Sequence, residues 1–580
     1  MFRTLAGCVR EYRRPTVISL VFIVLEAIIE TFIPFITANL VNSVKDGAEI
    51  GEILATGGLL FVMAACSLAS GGVAGIACAR ASSGFAKNLR SDMYRRIGTY
   101  GFENIDKFST SSLVTRMTTD VQNVQMSYMV IIRTAIRAPL MLIFSMVMAF
   151  VMGGLLALSF VVLIPLLAFG LITIARLAMP AFRRVFRKYD RLNESVEENV
   201  RAMRVVKGFS REEHEKEKFS TAAENIRRDF TRAERIVAFN GPLMQVCLYA
   251  NMVFVLLVGS RLAIESRGTS IDVGQISAML TYGMQILMSL MMLSMIYVIL
   301  TMSAESMKRI GEILSETPTV TSPENAVCEV KDGSIAFRGV TFKYAREAER
   351  ASLFGIDLEI PSGATVGILG GTGSGKSTLV QLIPRLYDAT EGAVLVGGRD
   401  VREYDLTALR SSVAMVLQKN QLFSGTIAEN LRWGKADATD EELREACRLA
   451  EADGFVSAFP DGYETRIEQG GTNVSGGQRQ RLCIARALLA RPKILILDDS
   501  TSAVDTKTDA AIRSAFRTYI PETTKLIIAQ RVASVMDADE ILLLENGEIA
   551  ARGTHEELLS TSAHYRELCE QQMGGAHDAE

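Results

Sequence analysis

Long apolar runs recur through the first 305 residues and are too long and too free of charge for soluble packing. Six of them, at about 16–43, 53–79, 129–151, 155–178, 237–260 and 274–302, each supply the roughly 20 residues that carry a helix across ~30 Å of hydrocarbon. The run VVLIPLLAFGLITIA (161–175) contains no charge at all. The second and third runs, and the fourth and fifth, are separated by long charged stretches, of which 183–219 has no proline. Opposite charges four residues apart suit a solvated helix, so these spans are expected to continue as helices beyond the membrane, each ending in a short tip, near 104–112 and 204–211. The remaining connections are short. Residues 1–14 set Phe2, Leu5 and Val9 among Arg3, Arg10, Arg13 and Arg14, the pattern of a short amphipathic elbow helix lying on the bilayer surface.

After TPTVTSPENA (317–326) short apolar runs alternate with helical segments, as in a parallel α/β domain. The chain thus reads as an elbow (1–14), a domain with six spans (15–316), a linker (317–332), an α/β domain (333–573) and a tail (574–580). The expected fold class is a polytopic α-helical membrane domain, six transmembrane helices with long cytoplasmic extensions, followed by an α/β domain.

Composition agrees with that division. Hydrophobic residues are 49% and charged residues 22% of the 580, at a mean hydropathy of +0.22. Such values coexist only where apolar and charged residues are segregated, and they exclude a disordered chain. The eight cysteines are dispersed without a CxxC pair, so no zinc or redox motif is present. A net charge of −3 gives no pull toward nucleic acid, and no nucleic-acid partner is expected. Four arginines against Glu11 precede the first span, whereas Lys45 stands among Asp46, Glu49 and Glu52 after it. Positive charge on the inner side then puts the N-terminus, and everything after about residue 303, in the cytoplasm. Short outer loops and the lack of a disulfide pattern or targeting peptide point to a plasma (inner) membrane.

The α/β half carries the chemistry. Gly370-Gly371-Thr372-Gly373-Ser374-Gly375-Lys376-Ser377 fits GxxxxGK[ST], follows the strand-like ATVGIL (364–369) and opens a helix at Thr378. Glycines let backbone N–H groups curl around phosphate oxygens, Lys376 neutralises β/γ-phosphate charge, and Ser377 is placed to ligate Mg2+. Asp498 ends a second apolar run, KILILDD (493–499), where an acid at a strand tip can hold Mg2+ through water. Ser475-Gly476-Gly477-Gln478 offers free N–H groups at a helix start, a second phosphate-binding surface. One nucleotide has no use for two such surfaces from one chain. Two chains packed head to tail would sandwich ATP between the Gly370–Ser377 loop of one and Ser475–Gln478 of the other.

On these segments the α/β half is expected to be an α/β P-loop ATPase domain, and the chain resembles the ABC transporter family over nearly its whole length, as an exporter-type half-transporter. The resemblance implies ATP and Mg2+ as ligands, a second half-transporter chain as partner, and tips that act as coupling helices, the second docking on the partner's nucleotide domain. It implies that Tyr344 stacks on adenine, that Gln418 reaches Mg2+ and contacts the membrane domain, and that Ser502–Asp505 forms the D-loop crossing the dimer interface.

Two positions depart from the family pattern. Asp499 stands where a Glu polarises the attacking water, and its carboxylate sits roughly 1–1.5 Å back; a displacement of ~1 Å can cost on the order of a hundredfold in rate. Gln530 stands where a His contacts the γ-phosphate, and Gln carries no charge there. Gln469 replaces a further Glu before the signature. The signature itself is intact. This combination resembles the degenerate-site subunit of bacterial heterodimeric multidrug exporters, which implies weak hydrolysis at this chain's own site and a partner that carries the Glu and His.

In the first span, Glu26 and Glu30 lie one turn apart, as a polar patch in the transport path or as an acid pair facing another helix or an Arg. Arg133 and Arg137 are expected near the cytoplasmic rim. The sixth span carries seven methionines between Met279 and Met302, an adaptable surface for small amphiphilic substrates, drugs or lipids. A siderophore-type importer on the same fold, and a slow or nucleotide-gated homodimeric conduit, are the competing readings.

Overall fold

The computed structural model describes residues 2–266, 269, 271–345, 349–499 and 505–573. They form two units, Met1–Gly98 with Thr110–Glu316, and Thr99–Ser109 with Thr317–Glu580.

In the first unit, five continuous helical stretches among the described residues are long and apolar enough to cross a membrane: Arg10–Lys45, Ile50–Gly98, Thr110–Phe182, Glu212–Glu265 and Val273–Ser315. The third contains both the third and the fourth expected spans. Helix Val121–Gly153 passes through a 3-10 turn, Gly154–Ala157, straight into Leu158–Arg201, so no irregular loop separates them. Gly154 breaks the α pattern at φ 51°, ψ −120°. The charged stretches are helical, as their i,i+4 pairs required: Ile50–Gly98 and Leu158–Arg201 run far past their apolar segments. Each ends at a short helix, Phe102–Phe108 and Met203–Gly208.

Small residues let these helices approach closely. Ala74, Ala77, Cys78, Ala81 and Gly84 are buried along one side of the second span. A Cβ on Gly84 would lie 2.2 Å from the Tyr12 ring, so the elbow seats there. Arg10 fixes it with two hydrogen bonds to Asp92, at 3.0 and 2.9 Å. Ala38, Met152, Phe160, Met279 and Tyr282 form a core toward the other end of the bundle, where the Tyr282 hydroxyl donates to the Thr31 carbonyl at 2.8 Å. Large apolar side chains such as Phe61, Leu68 and Phe169 stay exposed, as hydrocarbon-facing residues should.

The second unit contains a four-stranded antiparallel sheet and a six-stranded sheet. In the latter, the strands run in the order Glu548–Gly553, Glu540–Glu545, Thr365–Leu369, Thr524–Ile528, Ile494–Asp498, Val413–Val416. All neighbours except the first pair are parallel. Ile494–Asp498 and Thr524–Ile528 are buried at every residue, which explains their unbroken apolar runs. Register sets the site: Ile528 pairs with both Ile368 and Asp498, and Val416 with Leu497. The carboxyl ends of four strands therefore meet along one edge, where open α/β sheets bind their ligands.

Candidate nucleotide-binding site

Leaving strand Thr365–Leu369, the chain turns at Gly370 and enters helix Lys376–Gln381. Gly375 has φ 97°, and a Cβ there would lie 2.7 Å from the Ser352 carbonyl, so only glycine allows this turn. Lys376 folds back over the loop, its Nζ donating to the carbonyls of Gly370 at 2.8 Å and Gly371 at 2.7 Å. Burial lowers its pKa, with Asp498 and Asp499 opposing. An anion in the loop would replace those carbonyls as the partner of the ammonium. The loop borders an open cavity of about 760 Å³, lined also by Tyr344, Arg350, Phe354 and Glu548.

Tyr344 lines the cavity and is 48% exposed, so its side chain is accessible to a planar ligand there. Its hydroxyl lies 3.0 Å from Thr378 Oγ1. Ser377 Oγ donates to Asp498 Oδ1 at 3.0 Å. Burial raises the Asp498 pKa, the Ser377 hydrogen bond lowers it, Asp499 raises it further and Lys376 lowers it. A hydroxyl and a buried carboxylate so close together are hard oxygen donors that suit Mg2+, with phosphate and water completing its shell.

Asp499 adopts φ 49°, a left-handed conformation that Asp tolerates better than most residues. Its N–H donates to the Ile528 carbonyl at 3.0 Å. Its Oδ2 accepts from Gln530 Nε2 at 2.9 Å and from Gln418 Nε2 at 3.3 Å. Three residues separated by 31 and 81 positions thus converge on one oxygen. Gln418 reaches Asp499 here rather than Ser377 or Asp498.

Ser475 caps helix Gly476–Leu489. Its Oγ accepts from Gln478 N at 3.2 Å, and Gln478 Oε1 accepts from Ser475 N at 2.9 Å. The first intrahelical bond is from Arg479 N to the Ser475 carbonyl, which leaves the Gly476 and Gly477 N–H groups pointing out of the helix end. Among the described residues no hydrogen bond joins Ser475–Gln478 to Gly370–Thr378. Asp505 caps helix Thr506–Tyr519, accepting from Thr508 N at 3.0 Å, a bond that depresses its carboxyl pKa. Residues 502–504 of the D-loop, like the tail 574–580, lie outside the described residues.

Glu26 and Glu30 are far from this edge, in the first span. Arg137 holds both, 3.4 Å from Glu26 Oε1 and 2.7 Å from Glu30 Oε2. Both acids thus face an Arg, with two carboxylates sharing one guanidinium. Arg137 makes this pair instead of merely reaching for the rim. Sequence reasoning missed Tyr387 and Asp106, which carry no motif; the signal available was only an aromatic in RLYDAT after the loop helix.

Residues 16–290 match the family model of the ABC transporter transmembrane region, and residues 353–502 the family model described as ABC transporter. The chain is 35% identical over 557 residues to the ABC transporter ATP-binding protein YfiB of Bacillus subtilis, covering 96% of each. It is 33% identical over 480 residues to a fatty acid ABC transporter ATP-binding/permease protein of Mycobacterium bovis, covering 83% of this chain and 75% of that one. A solved bacterial Atm1-family ABC exporter with ATP bound shares the fold, with a TM-score of 0.85 at 24% identity over 97% of this chain and 99% of that one.

Proposed function

This chain belongs to the ABC transporter family, and from that premise we propose that it is one subunit of a heterodimeric ATP-driven exporter, with a degenerate ATP site of its own. The observation that carries the reading is the pairing of Asp499 with Gln530 beside an intact Ser475–Gln478 helix start. The chain keeps what it lends to a partner and lacks what it would need for itself.

In this reading, Lys376 and the loop N–H groups hold the phosphates of ATP at this chain's own site, and Tyr344 stacks on the adenine. Ser377 and Asp498 hold Mg2+, which supplies charge neutralisation for the β/γ-phosphates. Asp499 orients a water weakly, because its carboxylate, held at Oδ2 by two amides, is set back by one methylene from where a Glu would reach. At the competent site, a partner chain provides the loop, the Glu and the His, and Ser475–Gln478 of this chain closes over the γ-phosphate.

The proposed cargo is a small amphiphilic compound, a drug or lipid. Met284, Met288, Met292 and Met295 are exposed at three- and four-residue spacing along one face of the sixth span. The fatty acid transporter among the relatives supports such a cargo. The proposed location is the plasma (inner) membrane, with the N-terminus and nucleotide-binding domain cytoplasmic, as the arginines before the first span favour.

The test is the native mass of the complex purified from its host. A 63.4 kDa chain paired with a different chain of similar size is the expected result. Two identical chains would overturn the heterodimer and leave Asp499 and Gln530 running both sites.

A further inference from the structure

Helix Ala563–Met573 closes the described part of the chain. Tyr565, Leu568 and Cys569 pack on the core of the α/β domain, Tyr565 fully buried and Cys569 nearly so. The Tyr565 hydroxyl lies 2.7 Å from His555 Nδ1, which ties the helix to the one before it, His555–Thr561. Gln572 continues the same stripe, three residues after Cys569 and four after Leu568. A primary amide at the end of an apolar stripe needs polar partners, and it has two. Its Nε2 donates to the Gln530 carbonyl at 3.0 Å, and its Oε1 accepts from Val532 N at 2.8 Å.

Local geometry explains the fit. Arg531 is extended, at φ −102° and ψ 130°, so the Gln530 carbonyl and the Val532 N–H point to the same side of the chain. A Gln side chain presents a donor and an acceptor from one planar group, as the backbone of a neighbouring strand does. Gln572 therefore grips the backbone on both sides of Arg531 in one contact. Strand Thr524–Ile528 has ended two residues before Gln530, so the sheet ladder no longer sets the direction of that carbonyl. The side chain of Gln530 meanwhile donates to Asp499 Oδ2 at 2.9 Å. Gln530 is thus held by its side chain from the edge of the sheet and by its carbonyl from the C-terminal helix.

We propose that Gln572 is a positioning residue that sets Gln530 against the terminal phosphate of a bound nucleoside triphosphate, so that the C-terminal helix sharpens the preference of this site for triphosphate over diphosphate. The inference rests on the reading above that the Gly370–Ser377 loop holds ATP, and on Gln530 facing its γ-phosphate. Gln530 Nε2 carries a second hydrogen beyond the one it gives Asp499, and a neutral amide can offer a phosphate no more than that bond. Such a bond weakens steeply once distance and angle leave their narrow range, and no charge acts from farther away. The contribution of Gln530 therefore depends on where its backbone is held. A diphosphate has no group at that position, so the placement of Gln530 weighs on ATP and not on ADP. A contact that served only to pin the end of the helix would weigh on both alike.

Hydrogen–deuterium exchange in the whole transporter, purified from its host into nanodiscs, reads this chain apart from any partner, peptide by peptide. The probes are ATP and ADP without Mg2+, so that neither is turned over. The readout is the concentration of each that half-protects peptides covering 370–378. ATP is expected to protect at the lower concentration. Gln572→Met keeps the length of the side chain and loses both bonds, at an exposed position that leaves the core as it is. It should speed exchange in a peptide covering 530–534 of the nucleotide-free chain. It should also reduce the preference for ATP over ADP roughly three- to tenfold, the range of one net hydrogen bond, with the ADP midpoint unchanged. Gln530→Ala should reduce the preference by as much, and adding Gln572→Met to it should reduce it no further. An unchanged preference in Gln572→Met, or a double variant that multiplies the two single losses, overturns the proposal and leaves the reading of the site standing. If neither nucleotide protects 370–378 in the unaltered chain, or both do so at one concentration, the reading of the site fails and the proposal falls with it.

Discussion

Gln530 Nε2 lies 2.9 Å from Asp499 Oδ2, so the two positions at which this chain departs from its family are each other's hydrogen-bond partners. Gln418 donates to the same oxygen at 3.3 Å. The two amides hold this carboxylate in place, one methylene short of the Glu that polarises the attacking water elsewhere in the family. Asp499→Glu combined with Gln530→His is therefore expected to raise turnover at this site on the order of a hundredfold. Because the residues touch, either change alone should give less than its share. Single-turnover phosphate release by the assembled complex checks this, and additive or absent gains would count against it.

Asp498 gives a prediction with a defined sign. Burial raises its pKa in the folded chain. A raised carboxyl contributes stability that is fully present below the unfolded value of about 3.9 and is lost as pH rises through the folded value. At neutral pH the ionised group is thus a net cost, one that a bound cation offsets. Asp498→Asn should raise the apparent Tm of the nucleotide-free chain at pH 7 and flatten its pH dependence above about pH 4. The same variant should no longer be stabilised by Mg-ATP. Thermal unfolding across a pH series, with and without Mg-ATP, reads both effects; a lower Tm at pH 7 would contradict the sign.

What was legible in the sequence follows from how local each feature is. The phosphate loop, the Ser475 cap and the apolar spans are encoded within one segment each, where spacing and glycine positions suffice. The long helical extensions were readable because charge pairs repeat along them. The convergence of Gln418, Asp499 and Gln530 was not, because it depends on parallel register among strands distant in the chain. Tyr387 with Asp106 lies 281 positions apart and has no periodic signal. The break between the third and fourth spans was expected as a loop but is a 3-10 turn, because Gly154 redirects the chain without leaving helix on either side.

The Arg137 cluster should behave as a partly buried ion network. Glu26 is only 8% exposed, and a Cβ on Gly71 would come within 3.2 Å of its carboxylate. Arg137→Met leaves two carboxylates without their partner and is expected to destabilise the membrane domain by about 3–5 kcal/mol. Glu26→Gln and Glu30→Gln added to that variant should recover most of the loss, since no uncompensated charge remains. Thermal stability in nanodiscs decides it: a triple variant as unstable as Arg137→Met would show that Arg137 acts through packing instead.

The division of labour predicts opposite sensitivities for two residues of one chain. The Gly476 and Gly477 N–H groups point out of a helix end that favours anions. Gly477→Asp would put a carboxylate where a γ-phosphate of the partner's site should lie, and repulsion should lower turnover of the assembled complex on the order of a hundredfold. Asp499→Ala removes only a carboxylate set back from the attacking water, and the complex should retain most of its turnover. The two variants share expression, assembly and partner, so their ratio isolates the site each one serves. Steady-state ATPase of matched preparations gives that ratio. Equal losses would mean that this chain's own site and the site it completes contribute alike, and the asymmetric reading would have to be abandoned.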